Sequence, residues 1–284
     1  MNILLLGKGY IGGLLLASLS KEHSVKIIQR QDLDYTNKNT LFNFLKANKY
    51  DIIINCSGFT GTPNVDGCEL HKNDCWFYNV VAPHNVLLAA DALNVPVFHV
   101  SSGCIYSGYE KDFTEQDEPN FGIYSNTSSY YSKCKHAFET ISKNFNVYIF
   151  RIRMPFDGTT HRKNYLNKLY TYDNLISQKN SLTSTQDLCD FIAKFLSVFQ
   201  DVQPGPINVV NPGAVDAEYI LNLFSQNKII NKNWKIIELT DFITRAQRSN
   251  CVLDSRKLAD LGLSLPSAYK SLERDVKEFA TKVS

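Results

Sequence analysis

Three short stretches carry residue types and spacings suited to reducing a carbonyl group with hydride from a nicotinamide. In SSYYSKCKHAFETI (Ser128–Ile141), Tyr131 and Lys135 lie four apart, which puts them on one face of a helix. A phenol titrates near 10, so at neutral pH it holds a proton it can give to a ketone oxygen, and a lysine charge beside it eases that loss. Tyr130 and Lys133 complete no such pair: Tyr130 is four residues from Cys134, and Lys133 only two from Tyr131. In VSSGCIYSG (Val100–Gly108), Ser102 can hydrogen-bond the same carbonyl oxygen, and Cys104 follows two residues later. If strand geometry continues past Val100, Ser102 and Cys104 point to one side, because strand side chains alternate. Near the N-terminus, Gly7, Gly9 and Gly12 form G-x-G-x-x-G. The first glycine permits a tight turn, the second lets backbone approach a pyrophosphate, and the third allows close packing of helix on strand.

These groups need elements that bring strand ends together. Asn2–Leu6 reads as a buried strand, Tyr10–Leu19 as a helix, Val25–Ile28 as a strand and Thr40–Ala47 as an amphipathic helix. Asp51–Cys56 is a third strand, Asn79–Leu93 a long helix, Pro96–Val100 a strand, Ser129–Asn144 a helix and Val147–Arg151 a strand. This alternation predicts an α/β fold, a doubly wound, parallel, Rossmann-like sheet. Residues 1–155 are expected to bind the dinucleotide and carry the catalytic groups. Beyond about Met154 the pattern loosens, with a helix over Thr183–Phe199, a strand over Ile207–Val210, a helix over Asp216–Ser225 and two short helices after Asp254. Few runs here suit an independent core. Residues 156–284 are therefore expected to be mainly a small substrate-binding lobe, with about 180–212 returning to the first domain.

The end of the second strand bears on the cofactor. NAD sites usually place a carboxylate there for the ribose hydroxyls. Here Gln29, Arg30 and Gln31 come first, and no carboxylate arrives until Asp32. Arg30 can grip a 2′-phosphate with two hydrogen bonds, so NADP(H) is the expected cofactor. Tyr10, Ile11, Cys56, Ser57, Gly58 and Met154 are further candidate cofactor contacts. Thr60 and Asn64, just past the third strand, are placed to touch sugar or nicotinamide.

Composition removes other classes. With 30 basic and 28 acidic residues, the net charge of +2 argues against a nucleic acid or membrane surface held by charge alone. The seven cysteines (56, 68, 75, 104, 134, 189 and 251) are odd in number and scattered, as in a reduced cytoplasmic protein. Cys68, His71 and Cys75 are closely spaced, but no fourth ligand follows at a zinc-like interval, so no metal is expected. The opening MNILLLGKGYIGGLLLASL lacks the basic start of a signal peptide, and glycines interrupt it. No stretch approaches the ~20 apolar residues of a membrane span.

With the glycine loop, Ser102 and the Tyr131–Lys135 pair together, the sequence resembles the extended short-chain dehydrogenase/reductase family. GFTGTPNVDGCELHK (58–72), GCIY (103–106), YSKCK (131–135), RIRMP (151–155) and RSNCVLD (248–254) narrow the resemblance. They are similar to the bifunctional UDP-4-keto-6-deoxy-glucose 3,5-epimerase/4-reductases of UDP-L-rhamnose synthesis. The similarity runs from Met1 to about Leu263, and TGTPNVDGCE is its most specific element.

This resemblance implies two reactions in one pocket. Protons α to the C4 ketone are removed and returned on the other face at C5 and C3, and NADPH then reduces C4. Tyr131 and Ser102 serve both stages by holding the carbonyl oxygen. In the family, the cysteine of the GCI segment and a lysine beyond RMP act as acid and base. Here these are Cys104 and, as best match, Lys168 in KNYLNKLY. Lys163 competes, and His161 follows by analogy with the histidine of GDP-fucose synthases. A thiol is only slightly ionised at neutral pH, so its role calls for a cation nearby. Asn164 and Arg248 are candidate pyrophosphate or uridine contacts, or else solvated loop residues.

Two alternatives stay open. One is a 4-keto-sugar nucleotide reductase without epimerase activity, against which Cys104 argues. The other is a non-catalytic nucleotide-binding regulatory subunit, against which Tyr131 and Lys135 argue. With a single glycine loop, the chain is expected to receive its substrate from a separate 4,6-dehydratase. A homodimer through the helices near Asn79–Leu93 and Ser129–Asn144 is expected by analogy with the superfamily.

Overall fold

The computed structural model describes residues 1–62, 64–229, 234–241 and 244–283. The first half comprises β1 (Asn2–Leu6), α1 (Tyr10–Leu19), β2 (Ser24–Ile28), α2 (Lys38–Ala47), β3 (Ile52–Asn55), α3 (Gly67–Leu70), α4 (Lys72–Trp76), α5 (Ala82–Asp91), β4 (Val97–Ser102), β5 (Gly108–Phe113), α6 (Tyr130–Ile141) and β6 (Val147–Ile152). There follow β7 (Pro155–Phe156), α7 (Tyr165–Thr171), β8 (Asn174–Ile176), β9 (Asn180–Ser184), α8 (Thr185–Phe195), β10 (Gly205–Asn208), β11 (Asn211–Val215), α9 (Ala217–Gln226), β12 (Lys235–Ile237), β13 (Cys251–Leu253), α10 (Arg256–Asp260) and α11 (Ala268–Val283).

Six strands form one parallel sheet in the order β2-β1-β3-β4-β6-β10. This is the doubly wound α/β architecture expected from the sequence. The chain winds outward from β1 to β2, then returns to place β3 on the other side of β1. Ligands of such sheets bind where the winding reverses, beyond the carboxyl ends of the strands. Here that crevice lies past Leu6 and Asn55.

Both faces of the sheet are covered, so its strands are apolar on both sides. In β1, Ile3 and Leu5 join the core beneath α1 and α8, while Leu4 and Leu6 join the one beneath α2, α5 and α6. The first core is rich in aromatic rings, with Phe98, Tyr148 and Phe150 of the sheet meeting Phe191 and Phe195 of α8. After β6 the chain leaves the sheet, builds the segment that carries α7, and returns through α8 to β10.

Three readings of the sequence differ from the structure. The helix expected over Asn79–Leu93 is the later part of a helical run from Lys72 to Asp91, with a π-helical turn over Phe77–Val81. The polar start, KNDC, hides it. The strand before Cys104 runs past Val100 but stops at Ser102, so Cys104 lies on a turn, not on a continuing strand. The tail ends in a helix of 16 residues rather than a short one. Its many charges mask an apolar stripe of Ala268, Leu272, Val276 and Phe279. That stripe packs with Phe156, Leu166, Ile220 and Phe224 into a core separate from those of the sheet.

Candidate active site

The glycine loop sits at the carboxyl end of β1. Gly7 adopts φ +91, and a Cβ on Gly12 would strike the carbonyl oxygen of Gly7 at 2.0 Å, so the first turn of α1 can lie this close only with glycine there. Gly9 differs. Its Cβ would meet nothing within 4 Å, and it starts α1 without a side-chain cap. The first amides of a helix have no partner inside it, so this open side suits a pyrophosphate. A cleft of about 660 Å³ opens here, lined by Gly9, Tyr10 and the segment from Thr159 to Lys163. The site thus fits a dinucleotide.

Tyr10, at the edge of that cleft, is largely buried. Its hydroxyl donates to Asp157 Oδ2 at 2.7 Å, and its ring stacks on His161 at 4.4 Å. Cys56, beneath Gly12, is held well above the usual thiol range by burial. Ser57 donates through its backbone N–H and its hydroxyl to Asn55 Oδ1. Past β2, Asp32 accepts from the Gln29 N–H at 3.0 Å, which ties its carboxylate to its own turn. Arg30 is exposed, with its guanidinium 4.1 Å over the Tyr78 ring. Such an exposed cation–π contact is worth about 0.5–1 kcal/mol, less than the ~1.5–3 kcal/mol of a hydrogen bond to a charged group. The ring therefore aims Arg30 without preventing it from gripping a phosphate.

Tyr131 and Lys135 stand on α6, which Ser129 caps by accepting from the Ser132 N–H at 3.1 Å. Glu69 also accepts from the Tyr130 N–H at 2.6 Å, placing a carboxylate at the positive end of the helix. A buried ion pair pins α6 to the sheet: Arg151 of β6 bonds both carboxylate oxygens of Glu139, the shortest contact being 2.6 Å. Ser102, at the end of β4, lies beside Tyr131 and acts on its phenol. Burial first, and the neighbouring Cys104 second, push the Tyr131 phenol well above its ordinary value, while Ser102 works the other way. The phenol is thus protonated at neutral pH, as a proton donor must be. Burial lowers the Lys135 ammonium from the usual lysine range. Its Nζ lies 5.6 Å from the Tyr131 ring centroid and 3.6 Å from where a Cβ on Gly58 would sit, between the tyrosine and the end of β3. Asn79, in the π-helical turn, fixes that end by bonding both the N–H and the carbonyl of Phe59.

Cys104 reaches this centre from its turn. Its N–H donates to Ser102 Oγ at 3.2 Å, and Arg153 donates to its sulfur at 3.6 Å. Cys104 and Tyr131 line one cleft of about 230 Å³ with Met154, Tyr165, Arg248 and Asn250. Met154 takes φ +38, in the left-handed region, as the chain turns off β6. Lys168 lies on α7 one turn beyond Tyr165. Burial, then Lys163, lower its ammonium, and Cys104 opposes them. Of α7, Tyr165 and Leu169 line the cleft that holds Cys104, while Lys163 and His161 line the cleft beside Gly9.

The expected substrate contacts divide. Arg248 lines the cleft and pairs with Asp66 at 2.9 Å. Thr60 is half-buried beyond β3, and Asn64 accepts from the Asp66 N–H at 2.9 Å, closing the turn that leads into α3. Pro63 lies outside the described residues. The contact expected of Asn164 is corrected. Its side chain is fully buried and bonds Asp157, Thr159 and the Leu166 N–H, so it caps α7 and is spent within its own loop. Cys68 and Cys75 are buried, with Cys75 3.7 Å from the Cys134 sulfur, while His71 is exposed. Among the described residues no group of three or more His, Cys, Asp or Glu is placed to hold a metal ion, and no helix is long and apolar enough to cross a membrane.

Sequence reasoning missed Arg153, Arg151, Glu139 and Asn79. The RIRMP segment supported the resemblance, but no role was read for its arginines. Both are buried and reach across the fold, a property without a local sequence signal.

The chain is 29% identical to a bifunctional dTDP-4-dehydrorhamnose 3,5-epimerase/dTDP-4-dehydrorhamnose reductase of Arabidopsis thaliana, over 98% of this chain and 93% of that protein. It is 28% identical to a trifunctional UDP-glucose 4,6-dehydratase/UDP-4-keto-6-deoxy-D-glucose 3,5-epimerase/UDP-4-keto-L-rhamnose-reductase of the same plant, covering 96% of this chain but 41% of that protein. In fold it is similar to a UDP-rhamnose synthase of Acanthamoeba polyphaga mimivirus (TM-score 0.87, 24% identity, 98% of this chain and 99% of that one). It is also similar to a dTDP-4-dehydrorhamnose reductase of Bacillus anthracis in complex with NADP (TM-score 0.83, 19% identity, 96% and 98%). The family model described as RmlD substrate binding domain matches residues 1–281. That match takes in the glycine loop, the tyrosine helix and the segment carrying Lys168 alike, and the chain belongs to the RmlD substrate binding domain family.

Proposed function

We propose that the protein is an NADP(H)-dependent sugar-nucleotide 4-ketoreductase that first epimerises its substrate, converting UDP-4-keto-6-deoxy-D-glucose to UDP-L-rhamnose. The family and the relatives' activities support the reductase part, and the NADP-bound Bacillus anthracis reductase supports the cofactor. Arg30 would hold the 2′-phosphate of the bound cofactor, and the start of α1 at Gly9 its pyrophosphate. When bound, NADPH supplies the hydride for C4.

Ser102 and Tyr131 hold the C4 carbonyl oxygen. During epimerisation, one of Cys104 and Lys168 takes the proton from an α-carbon. The electron pair of that C–H bond moves into the enolate, whose oxygen Ser102 and Tyr131 stabilise. The other member of the pair returns a proton to the opposite face. In the reduction, Tyr131 gives its proton to the C4 oxygen, and the Lys135 charge eases that loss. The observation that carries the epimerase part is the geometry at Cys104, whose N–H donates to Ser102 Oγ and whose sulfur accepts from the Arg153 guanidinium.

The trifunctional relative, whose name joins a 4,6-dehydratase to the epimerase and reductase, supports a 4,6-dehydratase reaction as the source of the keto sugar. Exposed apolar side chains on the Lys72–Asp91 helical run (Trp76, Phe77) and on α6 (Ile141) support a homodimer through these elements. The test is to supply NADPH and UDP-4-keto-6-deoxy-glucose and identify the product by NMR. UDP-L-rhamnose is expected. Turnover only of a pre-epimerised keto sugar would leave a plain reductase, and no NADPH oxidation with either sugar would leave a binding protein.

A further inference from the structure

Arg153 is among the largest fully buried side chains of the protein, only 1% exposed, and it lies beneath the turn that carries Cys104. Its guanidinium donates to the Gly103 carbonyl at 3.4 Å, the Cys104 sulfur at 3.6 Å, the Ser249 hydroxyl at 2.8 Å, the Ser249 carbonyl at 3.0 Å and Asn180 Oδ1. None of these acceptors is a carboxylate. Arg151, two residues earlier, shows the usual solution for a buried arginine, a two-pronged pair with Glu139. Among the described residues Arg153 has no ion pair of this kind.

A guanidinium keeps its proton in proteins, and a buried charge without an ionic partner is costly. Burial weighs against the Arg153 charge, and what sustains it is Cys251, then Cys104, Tyr109 and Tyr165. All four are neutral unless they give up a proton. Cys251 is completely buried, Tyr109 is half exposed, and Cys104 is the thiol that opens on the cleft. The backbone is shaped for the approach. A Cβ on Gly103 would come within 3.1 Å of Arg153 Cγ and 2.4 Å of a Leu253 methyl, so a glycine there lets the arginine stem pass under the turn.

We propose that Arg153 is a positioning residue for the epimerisation, holding the Cys104 sulfur at the cleft and neutralising the negative charge it carries as thiolate. This rests on the reading of Cys104 as one of the two proton-transfer groups, and it holds in either direction of transfer. As base, the thiolate takes a proton from the α-carbon, the S–H bond forms, and the C–H electron pair passes to the enolate. As acid, the thiol gives its proton to the enolate carbon and is left as thiolate. Arg153 meets the anionic form of the sulfur in both.

The test compares wild type, Arg153→Gln and Asn180→Asp. The second variant keeps Arg153 but gives it an anionic partner, so it tests the charge even if Arg153→Gln does not fold. Two readouts are taken: deuterium exchange at C3 and C5 against NADPH-dependent reduction of pre-epimerised sugar, and the pH profile of iodoacetamide alkylation of Cys104, followed by peptide mass spectrometry. Both variants are expected to lose exchange by about tenfold more than reduction, with the alkylation profile moved to higher pH. An unmoved alkylation profile, or exchange and reduction falling together, overturns the proposal. Absence of exchange in wild type, or its persistence in Cys104→Ala, would instead overturn the epimerase reading. The alkylation profile needs no substrate and separates the two failures.

Discussion

The two halves of the site are built in different ways. The reductase half stands on regular elements: Ser102 ends β4, Tyr131 and Lys135 share a face of α6, and the glycine loop joins β1 to α1. Caps at Ser129 and Glu69 and the Arg151–Glu139 pair fix α6 from both sides. The proposed epimerase half stands on irregular backbone: Cys104 on a turn, Lys168 on the short helix α7, and Arg153 joining the Cys104 turn to β9 and the Ser249 segment. Regular elements set geometry by local rules. The proposed epimerase half depends on contacts between segments far apart in the chain.

Substitutions should separate the halves. The largest effect is expected for Tyr131→Phe, which removes the donor both halves share. Reduction measured by NADPH oxidation should fall roughly 10²–10⁴-fold, and exchange should slow with it; unchanged exchange would mean that the enolate is held elsewhere. Cys104→Ala should abolish deuterium exchange at C3 and C5, yet still allow a pre-epimerised keto sugar to be reduced; loss of both would join the two halves into one. Arg30→Ser should raise the KM for NADPH by about tenfold, with a smaller change for NADH. Equal effects on both cofactors would remove Arg30 from the 2′-phosphate.

The smallest effect concerns pH. Burial and then Lys163 lower the Lys168 ammonium. Lys163→Met takes away a neighbouring positive charge, so Lys168 should hold its proton to higher pH. The alkaline change in the exchange rate should move upward in pH, and an unmoved profile would show that Lys168 does not set it.

What the sequence revealed follows the same division. β1 and α1 carry uninterrupted local signals, an apolar run stopped by glycine and then a glycine-spaced helix start, and the structure has them over the same residues. Tyr131 and Lys135 were legible because a four-residue spacing has meaning on a helix. Cys104 was singled out by resemblance, with a continuing strand as the supporting premise, and the strand ends at Ser102. The thiol reaches the centre instead because its own N–H bonds the serine hydroxyl. Lys168 was chosen by resemblance alone, since a lysine on a short helix carries no signal of its own. Asn164 looked like a polar residue available to a ligand, but an asparagine before a helix is as well suited to a cap, and that is its role here. Arg153 was invisible because its partners at Cys104, Asn180 and Ser249 lie from 27 to 96 residues away in the chain.

The most direct test of the two-part site is to run the wild-type protein in deuterated water with NADPH and unepimerised UDP-4-keto-6-deoxy-glucose, and to read the product by NMR. UDP-L-rhamnose with deuterium at both C3 and C5 is the expected product. A reduced sugar with hydrogen retained at both positions would contradict the two-part site.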